Sequence, residues 1–158
     1  MIRGIVAIDE DRGMADENGI PWNIPGDQKY FVDHLATGTV LMGRGTYDEV
    51  ERPFGDQENY VAVMEPTNLR DGFVPVLDVA TFLRTTKGDI WNIGGPGLLS
   101  TTLDALDEVY ITQLEGSYGT TKFLPEFRSK FHKISESDPI TENGITYRYQ
   151  VWARNKKV

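Results

Sequence analysis

Short apolar runs alternate along the chain with polar, glycine-bearing stretches. Ile2 to Ile8 is apolar enough for a strand buried on both faces. Asp9 to Asn23 is polar and predicts a long loop, and loops of that length inside compact domains are usually functional or disordered. Pro25 to Leu35 predicts a helix. Pro25 suits its first turn, where the missing N–H is not needed, and Tyr30, Phe31, His34 and Leu35 fall on one face. Thr39–Met42 predicts a short strand ending at Gly43, and Arg44–Glu51 a helix that stops at Pro53. Strands are expected at Asn59–Met64 and Phe73–Leu77, then a helix capped by Asp78 and containing Ala80, Phe82 and Leu83. Asp89–Ile93 predicts a strand running into Gly94-Gly95-Pro96-Gly97, Leu98–Leu106 a helix, and Glu108–Leu114 a strand. Phe131–Ser137 and Ile145–Ala153 alternate as strands should, joined across Asn143-Gly144. This order predicts an α/β fold: helices packed on a largely parallel sheet with an antiparallel C-terminal edge.

Composition narrows the function. At 158 residues the chain is expected to form one domain with a real core. No apolar run approaches the length of a membrane span, and Met1–Ile5 lacks the long apolar core of a signal peptide. The absence of cysteine excludes disulfides, thiolate catalysis and cysteine-ligated zinc. Two histidines, His34 and His132, argue against a multi-histidine metal site, and no metal is expected. A formal charge of −8 argues against a nucleic-acid surface.

Three turns carry candidate chemistry. Pro21-Trp22-Asn23-Ile24-Pro25-Gly26-Asp27 places a carboxylate in the first turn of an amphipathic helix, beside a large indole. An isolated acid there most often only complements the helix dipole. At the edge of an apolar surface, however, its charged form is disfavoured and it can hydrogen-bond a polar ring. Met42-Gly43-Arg44-Gly45-Thr46 and Ile93-Gly94-Gly95-Pro96-Gly97-Leu98 each read as strand, glycine turn, helix. Either alone is often pure geometry. Two of them at strand C-terminal ends fit the ligand site of an open α/β sheet, with glycines admitting a phosphate and Arg44 a guanidinium suited to it. Neither is the Gly-x-Gly-x-x-Gly fingerprint.

These segments, with Ile5-Val6-Ala7, Asn18-Gly19-Ile20, Arg52-Pro53 and Val109-Tyr110-Ile111-Thr112, resemble the dihydrofolate reductase family over essentially the whole chain. The resemblance implies an eight-stranded mixed sheet and hydride transfer from NADPH to C6 of dihydrofolate, with protonation at N5. It implies that Asp27 orients and polarises the pterin, that Thr112 supports it and that Trp22 holds an ordered water. The pterin would lie between Ile5, Phe31, Val50 and Phe54, with Ala7 and Gln28 adjoining. The nicotinamide would sit against Ala7, Ile20 and Ile93, and the loop Asp9–Ile24, including Asn18 and Gly19, would close over it. Cofactor phosphates would rest on Gly43, Arg44, Gly45 and Thr46 and on Gly94, Gly95, Pro96, Gly97 and Leu98, with a cis peptide between Gly94 and Gly95. The loop Tyr118–Thr121 would steady the mobile segment. A cytoplasmic monomer, free of nucleic acid and membrane, is expected.

The chain also departs from the family pattern. Gln57 stands where relatives place an arginine on the substrate's glutamate tail, which predicts weak tail binding unless Arg52 or Lys29 compensates. Met64 and Gly97 replace a serine and an arginine near the 2′-phosphate, which predicts a reduced preference for NADPH over NADH. Asp9, Glu10, Asp11, Asp16 and Glu17 read as solvated loop acids, His34 as a satisfied histidine, and Trp91 and Trp152 as packing. Two alternatives stay open: a reductase of another pterin or of a riboflavin-pathway pyrimidine, and a non-catalytic homologue on the same fold.

Overall fold

The structure, a computed structural model, describes residues 1–156. Strands β1 (Ile2–Ile8), β3 (Thr39–Met42), β4 (Asn59–Ala62), β5 (Phe73–Val76), β6 (Ile90–Asn92), β7 (Glu108–Leu114), β9 (Phe131–Glu136), β10 (Ile140–Glu142) and β11 (Ile145–Arg154) build the main sheet, and β2 (Gly13–Ala15) and β8 (Lys122–Phe123) a small second one. The main sheet runs β10-β11-β7-β1-β6-β3-β4-β5, with β9 also paired to β11. β9 pairs residues 150–154 of β11 and β10 pairs residues 145–147, so the two lie end to end and fill the same edge. Nine strands thus occupy eight positions. All pairings from β7 to β5 are parallel and those made by β11 are antiparallel.

Four helices, α1 (Pro25–Leu35), α2 (Arg44–Glu49), α3 (Val79–Thr85) and α4 (Pro96–Thr102), cover the sheet. The period-two alternation of β1 divides the core. Val6 and Ile8 join Leu99 of α4, Phe127 and Phe131 on one face. Ile5 joins Leu35 of α1, Tyr47 of α2, Met42 and Trp91 on the other. Leu83 of α3 packs on Leu41 and Ile90. Asp78 caps α3 as expected, accepting from Thr81 N at 3.0 Å.

Several boundaries differ from the sequence reading. α2 ends two residues early because Val50 is already extended. α4 starts at Pro96 and closes in a 3-10 turn at Leu103–Ala105. Strand β4 stops at Ala62. The Asn143-Gly144 turn does make a hairpin, with both residues at positive φ, but it joins β10 to β11 rather than β9 to β11. The stretch read as one long loop contains β2, pinned to β8.

Candidate active site

A cavity of about 860 Å³ opens along the C-terminal ends of β1, β3 and β6. This is where an open α/β sheet offers its crevice. Its inner wall is apolar: Ile5 and Ala7 from β1, Trp22 and Ile24 from the segment before α1, Phe31 from α1, Val50, Phe54 and Ile93. Gln28 and Ile20 stand at its rim, both exposed. Arg44, Gly45 and Thr46 line one end with Gly43, and Gly95, Pro96, Gly97 and Leu98 line the same end from the α4 turn.

Asp27 is the acid of the inner wall. Its Oδ1 accepts from the Thr112 hydroxyl at 2.7 Å, which ties α1 to β7 across the sheet. Burial pushes the carboxyl above its ordinary range. The Thr112 hydrogen bond pulls the other way, and the charge of Glu142 adds to the upward push. Tyr30, one helical turn on, stacks on Tyr149 with ring centroids 3.8 Å apart, and burial raises its phenol to about 12. Trp22 is buried and meets Tyr118 edge-on. The polar element of the inner wall is therefore one carboxyl with one hydroxyl partner, set among rings and aliphatics.

The two glycine turns touch. Gly43 N donates to Gly94 O at 2.6 Å, and the Gly94–Gly95 peptide is cis. Asn92, fully buried at the end of β6, accepts from Gly94 N at 3.0 Å and donates to the Thr102 hydroxyl at 2.9 Å, which locks the turn to α4. Gly45 and Gly97 line the cavity, and a Cβ on either would meet no atom within 4 Å. Bare backbone beside open space, with the Arg44 guanidinium at hand, suits the phosphates of a dinucleotide.

Not every predicted site residue reaches the cavity. Thr112 acts through Asp27. Gly94 lies behind its neighbours and holds Gly43. Asn18 and Gly19 form a turn closed by Asp16, outside the lining. Arg52 is exposed and outside the lining. Gln57 also lies outside it, its amide donating to Leu35 O at 3.0 Å at the end of α1. Conversely, Val6, Met14, Ala15, Val32, Glu49 and Lys122 line the cavity without having been assigned to it. Met14 was an apolar residue inside a polar loop, which was a readable signal. Lys122 carried none.

Asp9 corrects the reading of the loop acids as solvated. It is fully buried and accepts from Asp11 N, Gly13 N, Tyr118 N and the Thr120 hydroxyl at 2.8–3.2 Å. The 118–120 loop thus holds the loop after β1, as the resemblance implied. His34 is satisfied, with Nδ1 2.7 Å from Tyr30 O.

A model of the dihydrofolate reductase family matches residues 1–154. The chain belongs to the dihydrofolate reductase family. Relatives agree with that. Dihydrofolate reductase of Bacillus subtilis is 27% identical over 160 residues, spanning 99% of this chain and 95% of the relative. Dihydrofolate reductase of Staphylococcus aureus is 30% identical over 134 residues, spanning 84% and 83%. The structure of dihydrofolate reductase from Enterococcus faecalis, complexed with NADP(H) and RAB-propyl, superposes with a TM-score of 0.89 at 24% identity, over 99% of this chain and 97% of that one. The fold of the family is therefore present over the full described length, with its cavity framed by Asp27 at one end and the paired glycine turns at the other.

Proposed function

We propose that the chain reduces 7,8-dihydrofolate to tetrahydrofolate with NADPH. The observation that carries this reading is the single half-buried carboxyl, Asp27, in the apolar wall of a cavity that continues to two glycine turns. Family membership supports it. Gly43 to Thr46 and Gly95 to Leu98 would hold the dinucleotide, and Ala7, Ile20 and Ile93 would face its nicotinamide. When bound, the dinucleotide supplies the hydride.

The chain's own residues do the rest. Ile5, Phe31, Val50 and Phe54 would clasp the pterin and exclude water, which strengthens every electrostatic interaction inside. Asp27 would receive the amino-pyrimidine edge of the ring, fixing its orientation against the nicotinamide. Because burial already favours the protonated carboxyl, a proton is retained in the pocket at pH values where a surface aspartate has lost it. That proton, or the ring protonation favoured by the ionised carboxylate, serves N5. Thr112 holds Asp27 through its hydroxyl.

The reading extends to a single domain that acts as a monomer in the cytoplasm, which size-exclusion chromatography and fractionation would check. Among the described residues no helix is long and apolar enough to cross a membrane. The assay is the fall in NADPH absorbance with dihydrofolate. Asp27→Asn is expected to lower turnover at neutral pH by about 10²-fold or more, the usual scale for a general acid or base. Undiminished turnover would reject the role given to Asp27. Turnover of a ribosylated pyrimidine in place of dihydrofolate would move the chain to the riboflavin-type alternative.

A further inference from the structure

The turn that carries Asp27 is held from outside the site. Gly26 N donates to Glu142 Oε1 at 2.8 Å, one residue before the acid. The neighbouring Asn143 Nδ2 donates to Asn23 O at 3.0 Å. Both partners come from the end of β10 and its hairpin turn, more than a hundred residues further along the chain. A carboxylate on the N–H of a first helical turn is well placed, because those groups have no intrahelical partner. Here it has a second consequence. Glu142 sets a negative charge behind Asp27, in a half-buried position where water screens it poorly.

The other titratable groups around the acid do not offset it. Tyr30 on α1 and Tyr147 and Tyr149 on β11 are phenols held above their ordinary range by burial, so they stay neutral through the physiological range. Thr112 on β7 is neutral and donates its hydrogen bond. The charge added to the Asp27 environment is therefore that of Glu142.

We propose that Glu142 is a positioning residue of this reductase: it seats the Asp27 turn through Gly26 and keeps a proton in the pocket to higher pH than Asp27 alone would. The proposal rests on the reading of Asp27 given above. Its direction holds whichever atom carries the proton. A negative charge nearby favours protonation of the carboxyl and equally favours protonation of a bound pterin ring.

The test is the pH profile of dihydrofolate reduction for wild type, Glu142→Gln, Glu142→Asp and Asp27→Asn. Gln keeps an acceptor for Gly26 N–H and removes the charge. The ratio of E142Q to wild-type rates is expected to fall as pH rises through the alkaline limb and then level off, with that limb displaced to lower pH. E142D keeps the charge and is expected to show a smaller displacement. Circular dichroism and thermal unfolding verify that each variant is folded. A ratio constant with pH in folded E142Q overturns the proposal, as does an equal displacement in E142D, since the displacement would then not follow the charge. A D27N variant as active as wild type at neutral pH is a different result: it overturns the role of Asp27 beneath.

Discussion

Asp27 shows at the scale of one residue how a site and a fold pull apart. Its carboxyl sits above its ordinary range chiefly because burial penalises the charge. The folded protein therefore binds this proton more tightly than the unfolded chain does. Stability contributed at this position is full below the unfolded value of about 3.8 and is lost as pH rises through the folded one. Asp27→Asn removes the ionisation and keeps an oxygen for the Thr112 hydroxyl. We expect it to unfold at a higher temperature than wild type at neutral pH, with the difference closing in acid. Thermal unfolding at both pH values checks this, and it pairs a gain in stability with the loss of turnover. Gln57 makes the opposite point. Its neutral amide is spent on the last carbonyl of α1 and cannot fork onto a carboxylate. Gln57→Arg is expected to lower the KM for dihydrofolate by roughly tenfold or more, the scale of a charge-assisted hydrogen bond of about 1.5–3 kcal/mol. An unchanged KM would mean that the tail is held elsewhere.

At the scale of elements, the long loop after β1 is organised by a single buried side chain. Asp9 gathers two N–H groups from its own turn with an N–H and a hydroxyl from the 118–120 loop, and β2 pairs with β8 just beyond. Gly13 is required there by proximity: a Cβ would stand 1.7 Å from the Thr120 hydroxyl oxygen that bonds Asp9. Asp9→Ala leaves buried donors without an acceptor, at about 3 kcal/mol for charge-assisted bonds. For a domain of this size that lowers Tm by roughly 6–12 °C. Differential scanning calorimetry measures it, and a change under about 2 °C would mean that water replaces the carboxylate. The sequence did not announce this arrangement. A polar Asp-Glu-Asp-Arg-Gly run has the composition of an exposed turn, and its acceptor role depends on a segment more than a hundred residues away. The short strands β2, β8 and β10 escaped for a different reason: two or three residues carry too little alternation to read.

Across the whole molecule the cavity is an assembled object. Its wall draws on β1, the segment before α1, α1 itself, the α2 turn, the α4 turn and the small sheet of β2 and β8. Ligands that fill it bind the folded state and not the unfolded chain, so they shift unfolding by mass action. At a hundredfold its dissociation constant, NADPH is expected to add about 2.7 kcal/mol, or roughly 5–11 °C in Tm. NADH tested at the same concentration reports whether Met64, which is fully exposed, and the bare Gly97 weaken recognition of the 2′-phosphate. Equal shifts would leave Arg44 without a discriminating role.

The parallel core, the placement of α1, the Asp78 cap of α3 and the two glycine turns were already fixed by local pattern: period-two runs, a proline in a first turn, an acid before a helix, glycines at strand ends. These features depend on neighbours in the chain, so they can be read along it. The tertiary structure alone decided that Asp9 is an internal tether, that β10 supplies Glu142 to the helix bearing Asp27, that Asn92 locks the Gly94–Gly95 turn and that Gln57 serves α1. Each of those depends on which distant polar group a buried donor or acceptor must satisfy, and only packing determines that partner.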